Sequence, residues 1–394
     1  MEPTNSNNNP IFNTDKNCFR GVIQSEDSNY YIINELLCLG DFKIFSGSKF
    51  HIDEGIKTFE KKKYLIQFLS LDWIKINLLP SLKKGKNSLD DFISNLRKSC
   101  NFHKEKIHSH NMQKLHDCII TDRGIFTVLD YFDTSLKDYI AVLKEPIKNF
   151  ATYPFELKIL KILTQILDAI IYIHNGKNVF LGGFLNPYQI MIEELDSEIN
   201  TGFDKKGGGE IIVKFPNPFM SDILTLYYLI ENKKNNYFVT YLAPDILKEF
   251  EMSQNKRFTT DYNDVFNKIS HNTDMWSLGY LIYELVFDEQ PFNFTDPKTA
   301  SNELNENFSY EIMPHKVTKN VLAIIIKCLQ LNASNRMDSL LLKSIKQNLE
   351  RDGENLEAIE ILLNKAIEAK EKEDSKGLCK FDIISDNGYD FRDL

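Results

Sequence analysis

Three histidines fall within eight residues, at His103, His108 and His110. Imidazoles at such short spacing are able to ligate a transition metal. The cysteines give that chemistry no support. Cys18, Cys38, Cys100, Cys118, Cys328 and Cys379 are scattered, with no C-x-x-C pair from which a tetrahedral zinc site is built. The hydroxyls between Ser221 and Tyr241 are potential acceptors of phosphate from another enzyme, and none of them stands out.

The chain that must position any such groups has 394 residues, 42% of them hydrophobic, enough for a full core in one large domain or two lobes. There are 47 Lys+Arg against 56 Asp+Glu, a net charge of -9. That balance lacks the basic stripe of a nucleic-acid binder, so no nucleic-acid partner is expected. Few cysteines in a long chain indicate a reduced, intracellular setting, here read as cytoplasmic. The first residues, MEPTNSNNNP, have neither a basic nor an apolar region and do not form a secretory signal. The most apolar stretch, 159–174, is interrupted by Lys161, Gln165 and Asp168, so no membrane span is expected.

Residues 1–28 are rich in Asn, Ser, Thr and Asp and are expected to be a disordered tail. Short β-rich runs follow at 30–39, 43–50, 63–69, 117–121 and 124–131, with a helix expected over 88–100. The remainder reads as helical: 135–143, 155–174, 274–287, 317–331 and 338–348. Two short strands are expected at 189–193 and 210–215. The helix over 155–174 is apolar around a wide face, as buried core helices are. The stretch 194–209, with its Gly-Gly-Gly run, reads as an exposed loop, and the polar stretch 249–272 as an insertion. A tail helix over 357–372 and a flexible end over 377–394 complete the chain. The resulting division is an N-lobe over 29–131, a C-lobe over 132–350 and a tail over 351–394.

Four segments carry a resemblance. Thr240-Tyr241-Leu242-Ala243-Pro244-Asp245 resembles the Ala-Pro-Glu segment of protein kinases, and Asp274-Met275-Trp276-Ser277-Leu278-Gly279 their D-x-W-S-x-G signature. Phe287-Asp288-Glu289-Gln290-Pro291-Phe292 is similar to the turn that follows. Asn332-Ala333-Ser334-Asn335-Arg336 resembles the segment whose Arg pairs with the Ala-Pro-Glu acid. The resemblance to the eukaryotic protein kinase superfamily covers about 30–350. It implies an α+β, bilobal fold with a small β-rich N-lobe and a larger helical C-lobe. It also implies structural roles for Asp245 and Arg336 as an ion pair and for Asp274 as a cap of the catalytic loop, and it places His110 in a structural turn rather than a metal site.

The same resemblance locates the slots for phosphoryl transfer, which needs a glycine-rich lid, a strand lysine with its helix glutamate, a catalytic Asp and metal ligands. The lid slot keeps only Gly40, and Phe42 or Phe45 would obstruct a phosphate there. The strand lysine is replaced by Gln67, and the helix glutamate falls at Cys100. In Gly182-Gly183-Phe184-Leu185-Asn186-Pro187-Tyr188-Gln189, the catalytic Asp becomes Phe184, the catalytic Lys Asn186 and the metal Asn Gln189. Asn217-Pro218-Phe219 stands at the D-F-G slot, so no metal ligand is expected. The hinge is retained, with Leu129 at the gatekeeper slot. Gly40, Lys43, Gln67, Leu129, Asp130, Phe132, Gln189 and Asn217 are the candidates to line a nucleotide pocket.

The degenerate slots imply a pseudokinase: a catalytically inactive domain acting as a scaffold or allosteric regulator in signalling through a protein partner, an active kinase being one class that fits. No cofactor is required, and ATP could be bound without magnesium. The alternative is an atypical active Ser/Thr kinase with relocated groups, Lys43 supplying the missing cation and Asp222 or Glu193 the base.

Overall fold

A computed structural model describes residues 21–25, 27, 29–38, 42–53, 56–79, 89–144, 153–175, 180–181, 185–195, 210–231, 237–255, 262–287, 289–292 and 319–354. The expectations for Gly40, Phe184, the Gly-Gly-Gly loop and the tail helix lie outside these residues. The chain divides into two compact units, one formed by 1–136, 188–224 and 249–268, the other by 137–187, 225–248 and 269–394. The chain passes from one of these units to the other several times.

The first unit is built on a six-stranded antiparallel sheet. Its strands are β1 (Gly21–Gln24), β2 (Tyr30–Cys38), β3 (Phe42–Asp53), β4 (Ile56–Ser70), β5 (Leu115–Ile120) and β6 (Gly124–Asp130), in the order β1-β2-β3-β4-β6-β5. β1 falls inside the stretch expected to be a disordered tail; Val22 and Ile23 pair with Ile32 and Tyr31 of β2, and Ile23 enters the core. Alternation decides which face each residue takes. Phe45, Tyr64, Ile66, Ile119, Phe126 and Val128 gather on one face with Ile23, Tyr31 and Ile33 as an apolar cluster. Burial on that scale is what makes the sheet stable, at ~25 cal/mol per Å² of apolar surface removed from water.

Between β4 and β5 the chain forms α1 (Leu71–Trp73), capped by Ser70, whose Oγ accepts from the Asp72 N–H at 3.2 Å, then a π-helical stretch (Ile74–Leu78) and α2 (Leu89–Lys106). A second, three-stranded sheet joins β7 (Thr134–Ser135), β8 (Met191–Leu195) and β9 (Glu210–Lys214). Two reciprocal bonds tie the turn after α2 to the end of β9: Phe215 N–H to Asn111 O and Gln113 N–H to Phe215 O, both 2.8 Å.

The second unit is helical, with α3 (Leu136–Lys144) and α4 (Tyr153–His174) from the middle of the chain. α5 (Ser221–Glu231) and α6 (Pro244–Asn255) cross between the units, and α7 (Asn263–Lys268) belongs to the first. Among the described residues, much of the polar stretch 249–272 is helix: Phe250 and Tyr262 stack at 5.7 Å, and Lys268 pairs with Glu249 at 3.7 Å. The core helix α8 (His271–Phe287) is buried from Thr273 through Leu285. α9 (Lys319–Cys328) lies directly against it. A Cβ at Gly279 would meet the Cys328 Cβ at 2.6 Å, so only glycine allows this approach. α10 (Ser339–Glu354) packs on α4, with Lys346 paired to Asp168 at 2.7 Å.

Candidate nucleotide slots

In the second unit the expected structural residues come together. Arg336 has a fully buried side chain, and its Nη1 lies 2.6 Å from Asp245 Oδ2. The same guanidinium donates to the carbonyls of Gln330, Asn272 and Leu331 and lies over the Trp276 ring. Burial by itself lowers the Arg336 pKa, and Asp245 opposes that. Asp274 is completely buried and accepts the Leu181 N–H on both oxygens, at 2.9 and 3.1 Å, and His174 Nε2 at 3.0 Å. His174 packs against His271 in a tilted arrangement with ring centroids 4.2 Å apart. Glu284, missed in the sequence, joins Lys137 at 2.7 Å and accepts from the Tyr241 hydroxyl. Asn186 is fully buried.

The nucleotide slots of the first unit are arranged differently from expectation. Gln67 on β4 is paired in register with Ile44 of β3 and Thr127 of β6, and its Oε1 accepts from Thr127 Oγ1 at 3.1 Å. Leu129, two residues along from Thr127, shares that face and is buried. Lys43 does not. It is paired with Phe68, and its Nζ sits 6.0 Å from the Phe68 ring, which packs on Phe126 at 4.7 Å. Phe68 and Phe126 belong to the apolar-cluster face, so Lys43 and Gln67 project from opposite faces of one sheet. Phe45 is likewise in the apolar cluster, which corrects its expected role as an obstruction over phosphates.

Cys100, at the helix glutamate slot, is buried against Cys118 of β5. α2 is instead tied to the sheet by Lys104, whose Nζ is 3.2 Å from Asp117 Oδ1; Asp117 also accepts from the Tyr31 hydroxyl and from Asn29. Burial and this bond push the Tyr31 phenol well above its ordinary range. The sequence signal for the latch is weak: an acid at an inward position of an otherwise alternating strand.

At the D-F-G slot the Asn217 side chain is buried and engaged at both ends. Its Oδ1 accepts the Phe219 N–H at 3.0 Å and its Nδ2 donates to Gln113 O at 3.0 Å. Gln113, which sequence reasoning missed, donates its own Nε2 to Asp130 O at 2.6 Å. Three residues thus carry an unbroken relay from the D-F-G slot to the hinge. Phe219 packs on His103 with centroids 5.5 Å apart. His103 uses Nδ1 toward Ser99 O, and burial lowers its pKa. The left-handed conformation in this loop falls on Met220, at φ 63°, rather than on Pro218 or Phe219. A non-glycine residue there costs on the order of 1 kcal/mol, and Met220 is held by its own burial.

The hinge acid is fixed too. Asp130 accepts from Lys62 at 2.5 Å, His116 at 2.8 Å and the Lys114 N–H at 3.2 Å. Burial would raise its pKa, but the His116 and Lys62 bonds outweigh that and hold it far below the usual range. The Phe132 ring lies under Lys214, which also pairs with Glu193 at 3.3 Å. Gln189 is half-buried in the turn before β8. Among the described residues no group of three His, Cys, Asp or Glu side chains is placed to hold a metal, and none of the helices described is long and apolar enough to cross a membrane.

The model of the protein tyrosine and serine/threonine kinase family matches residues 81–345, two-thirds of the chain. The chain belongs to the protein kinase family. The serine/threonine-protein kinase TOUSLED of Arabidopsis thaliana is 25% identical over 255 residues, covering 63% of this chain and 32% of the relative. The chain therefore spans about a third of that relative's length. The family match begins after β4, so the lid and Gln67 are placed in their kinase slots by the resemblance of their own residues. A magnesium nucleotide does not fit what is there. The D-F-G slot offers a carboxamide already bonded at both ends, and the Gln67 face lacks the cation of Lys43.

Proposed function

We propose that this protein kinase domain is catalytically inactive and works by binding a protein partner. The observation that carries the reading is Asn217. A hard divalent cation requires an oxygen ligand, usually a carboxylate, at this slot. The only oxygen on the Asn217 side chain faces its own Phe219 N–H, and its nitrogen faces Gln113. Gln67 supplies no charge to offset a phosphate, and its oxygen is taken by Thr127. Losing a general base lowers rate by about 10²–10⁴. Losing cation and metal ligands removes several further kcal/mol of transition-state stabilisation. The geometry of Lys43 gives the relocated-lysine reading no support.

On this reading no cofactor is required, and the partner is a protein, with an active kinase as one candidate class. The setting we propose is reducing and cytoplasmic, from the few and scattered cysteines of the sequence. The test is transfer of labelled phosphate from ATP into a peptide library and into the chain itself, with magnesium and with manganese. Incorporation no higher than a heat-denatured control is expected. Incorporation abolished by Lys43→Ala would establish the atypical active kinase instead.

A further inference from the structure

Gln113 stands between the two parts of a nucleotide site that the proposed function leaves idle. It is buried, with 5% of its surface exposed. Its backbone is fixed on both sides, by the N–H to Phe215 O at 2.8 Å and by the carbonyl to Asn217 Nδ2 at 3.0 Å. Only its side chain is left to reach outward, and the amide nitrogen lands on the Asp130 carbonyl at 2.6 Å. The Asp130 N–H is also engaged, by Lys114 O at 3.2 Å. Asp130 follows Leu129, which shares a sheet face with Gln67. Its carbonyl is thus the first hinge acceptor past the gatekeeper slot, where an exocyclic amino group of a base would otherwise donate.

We propose that Gln113 is an internal stand-in for that amino group: its carboxamide occupies the Asp130 carbonyl and removes the preference of the site for 6-aminopurines. The chemistry matches point for point. A primary amide presents the same planar N–H donor as the 6-amino group of adenine, and it arrives without translational entropy to lose. A base entering the site has to displace a short, part-buried bond held by a preorganised backbone, and a displaced Gln113 amide would lose its partner. A 6-oxopurine, which carries no donor at that position, loses nothing by comparison. Discrimination between the two base types is therefore absent from the wild-type protein and is created by removing the Gln113 amide.

The inference rests on the reading of this unit as an idle nucleotide site, but it concerns base recognition and not transfer. The experiment is titration of ADP and of IDP, without metal, into the full chain and into Gln113→Met and Gln113→Leu, which keep the volume of the side chain without its donor. The melting temperature and circular dichroism of each variant check that it folds, and two variants guard against failure of one. Wild type is expected to bind the two nucleotides within about threefold of each other, or neither below millimolar. A folded variant is expected to bind ADP about tenfold more tightly than IDP, the worth of about one hydrogen bond. A wild-type preference for ADP of tenfold or more overturns the inference. So does a folded variant that binds neither nucleotide below millimolar or discriminates no better than wild type. Phosphate transfer by the wild type would defeat the inactive reading and leave this comparison of bases standing on its own.

Discussion

Arg336 and Asp245, 91 residues apart in sequence, meet at 2.6 Å with the guanidinium side chain completely buried. The two ends of the pair are unequal, because Asp245 keeps 22% of its side chain exposed. Asp245→Ala leaves a buried cation without its partner and is expected to destabilise by about 3–5 kcal/mol. Adding Arg336→Met removes that orphaned charge. The double variant should therefore lose less than the sum of the single losses, by about 1–3 kcal/mol. Urea unfolding of the four proteins measures the coupling, and strict additivity would show that the pair does not act as one.

The Lys104–Asp117–Tyr31 cluster ties α2 to both β2 and β5. Asp117→Ala would strand a buried Tyr31 hydroxyl and release Lys104, at a cost of about 2–4 kcal/mol. Lys104→Met takes the cation from the buried Asp117 carboxylate, which keeps its bonds from Tyr31 and Asn29, and should cost about 1–3 kcal/mol. Hydrogen exchange of 89–106 should rise in both variants, with little change in β4 and β6. Exchange spread evenly over the sheet would mean that the cluster does not latch the helix in particular.

Acid should weaken the fold from two imidazoles, the buried His103 and the half-buried His271. Burial lowers the pKa of His103, and burial followed by the neighbouring His174 lowers that of His271, against an opposing pull from Asp274. Both protonate less readily in the folded protein than in the unfolded chain. Their contribution is complete above the ordinary histidine pKa of about 6.5 and is lost as pH falls below it. A melting temperature that declines between pH 7 and pH 5.5 is expected, and His271→Phe should flatten that decline. A melting temperature that is constant or rises on acidification would contradict the assignment.

A second acid step lies lower. Burial alone would raise Glu60, but bonds from Tyr64, His51 and Lys49 hold it at about 2. Its contribution is present above the unfolded carboxylate range and is lost as pH falls from about 4.5 toward 2. Glu60→Gln should remove that step while leaving the histidine step in place.

Much of the second unit was legible in the sequence because its motifs join charge and size at fixed spacing. Asp245, Asp274, Gly279 and Arg336 each require a partner, and the buried helix His271–Phe287 announces itself by unbroken apolarity. The first unit was less legible. β1 hides in a polar stretch because an edge strand of four residues needs only Ile23 in the core. The stretch 249–272 reads as an insertion because its buried apolar residues, Phe250, Tyr262, Val265 and Ile269, are few among charges. Which face Lys43 takes depends on its register against Phe68, and a shift of one residue would reverse it. Gln113 gave no signal at all. Its role arises where the turn after α2, the end of β9 and the hinge converge, three segments more than a hundred residues apart at their extremes.

On the proposed reading, the nucleotide slots of this kinase domain do not assemble a metal–nucleotide complex. The melting temperature of the full chain with millimolar ATP, alone and with magnesium or manganese, tests this. A ligand at 100 times its dissociation constant stabilises by about 2.7 kcal/mol, a shift of several degrees. With Asn217 engaged by Phe219 and Gln113, adding the metal should move the ATP curve by less than about 1 °C. A shift of several degrees that appears only when metal and ATP are present together would contradict the claim.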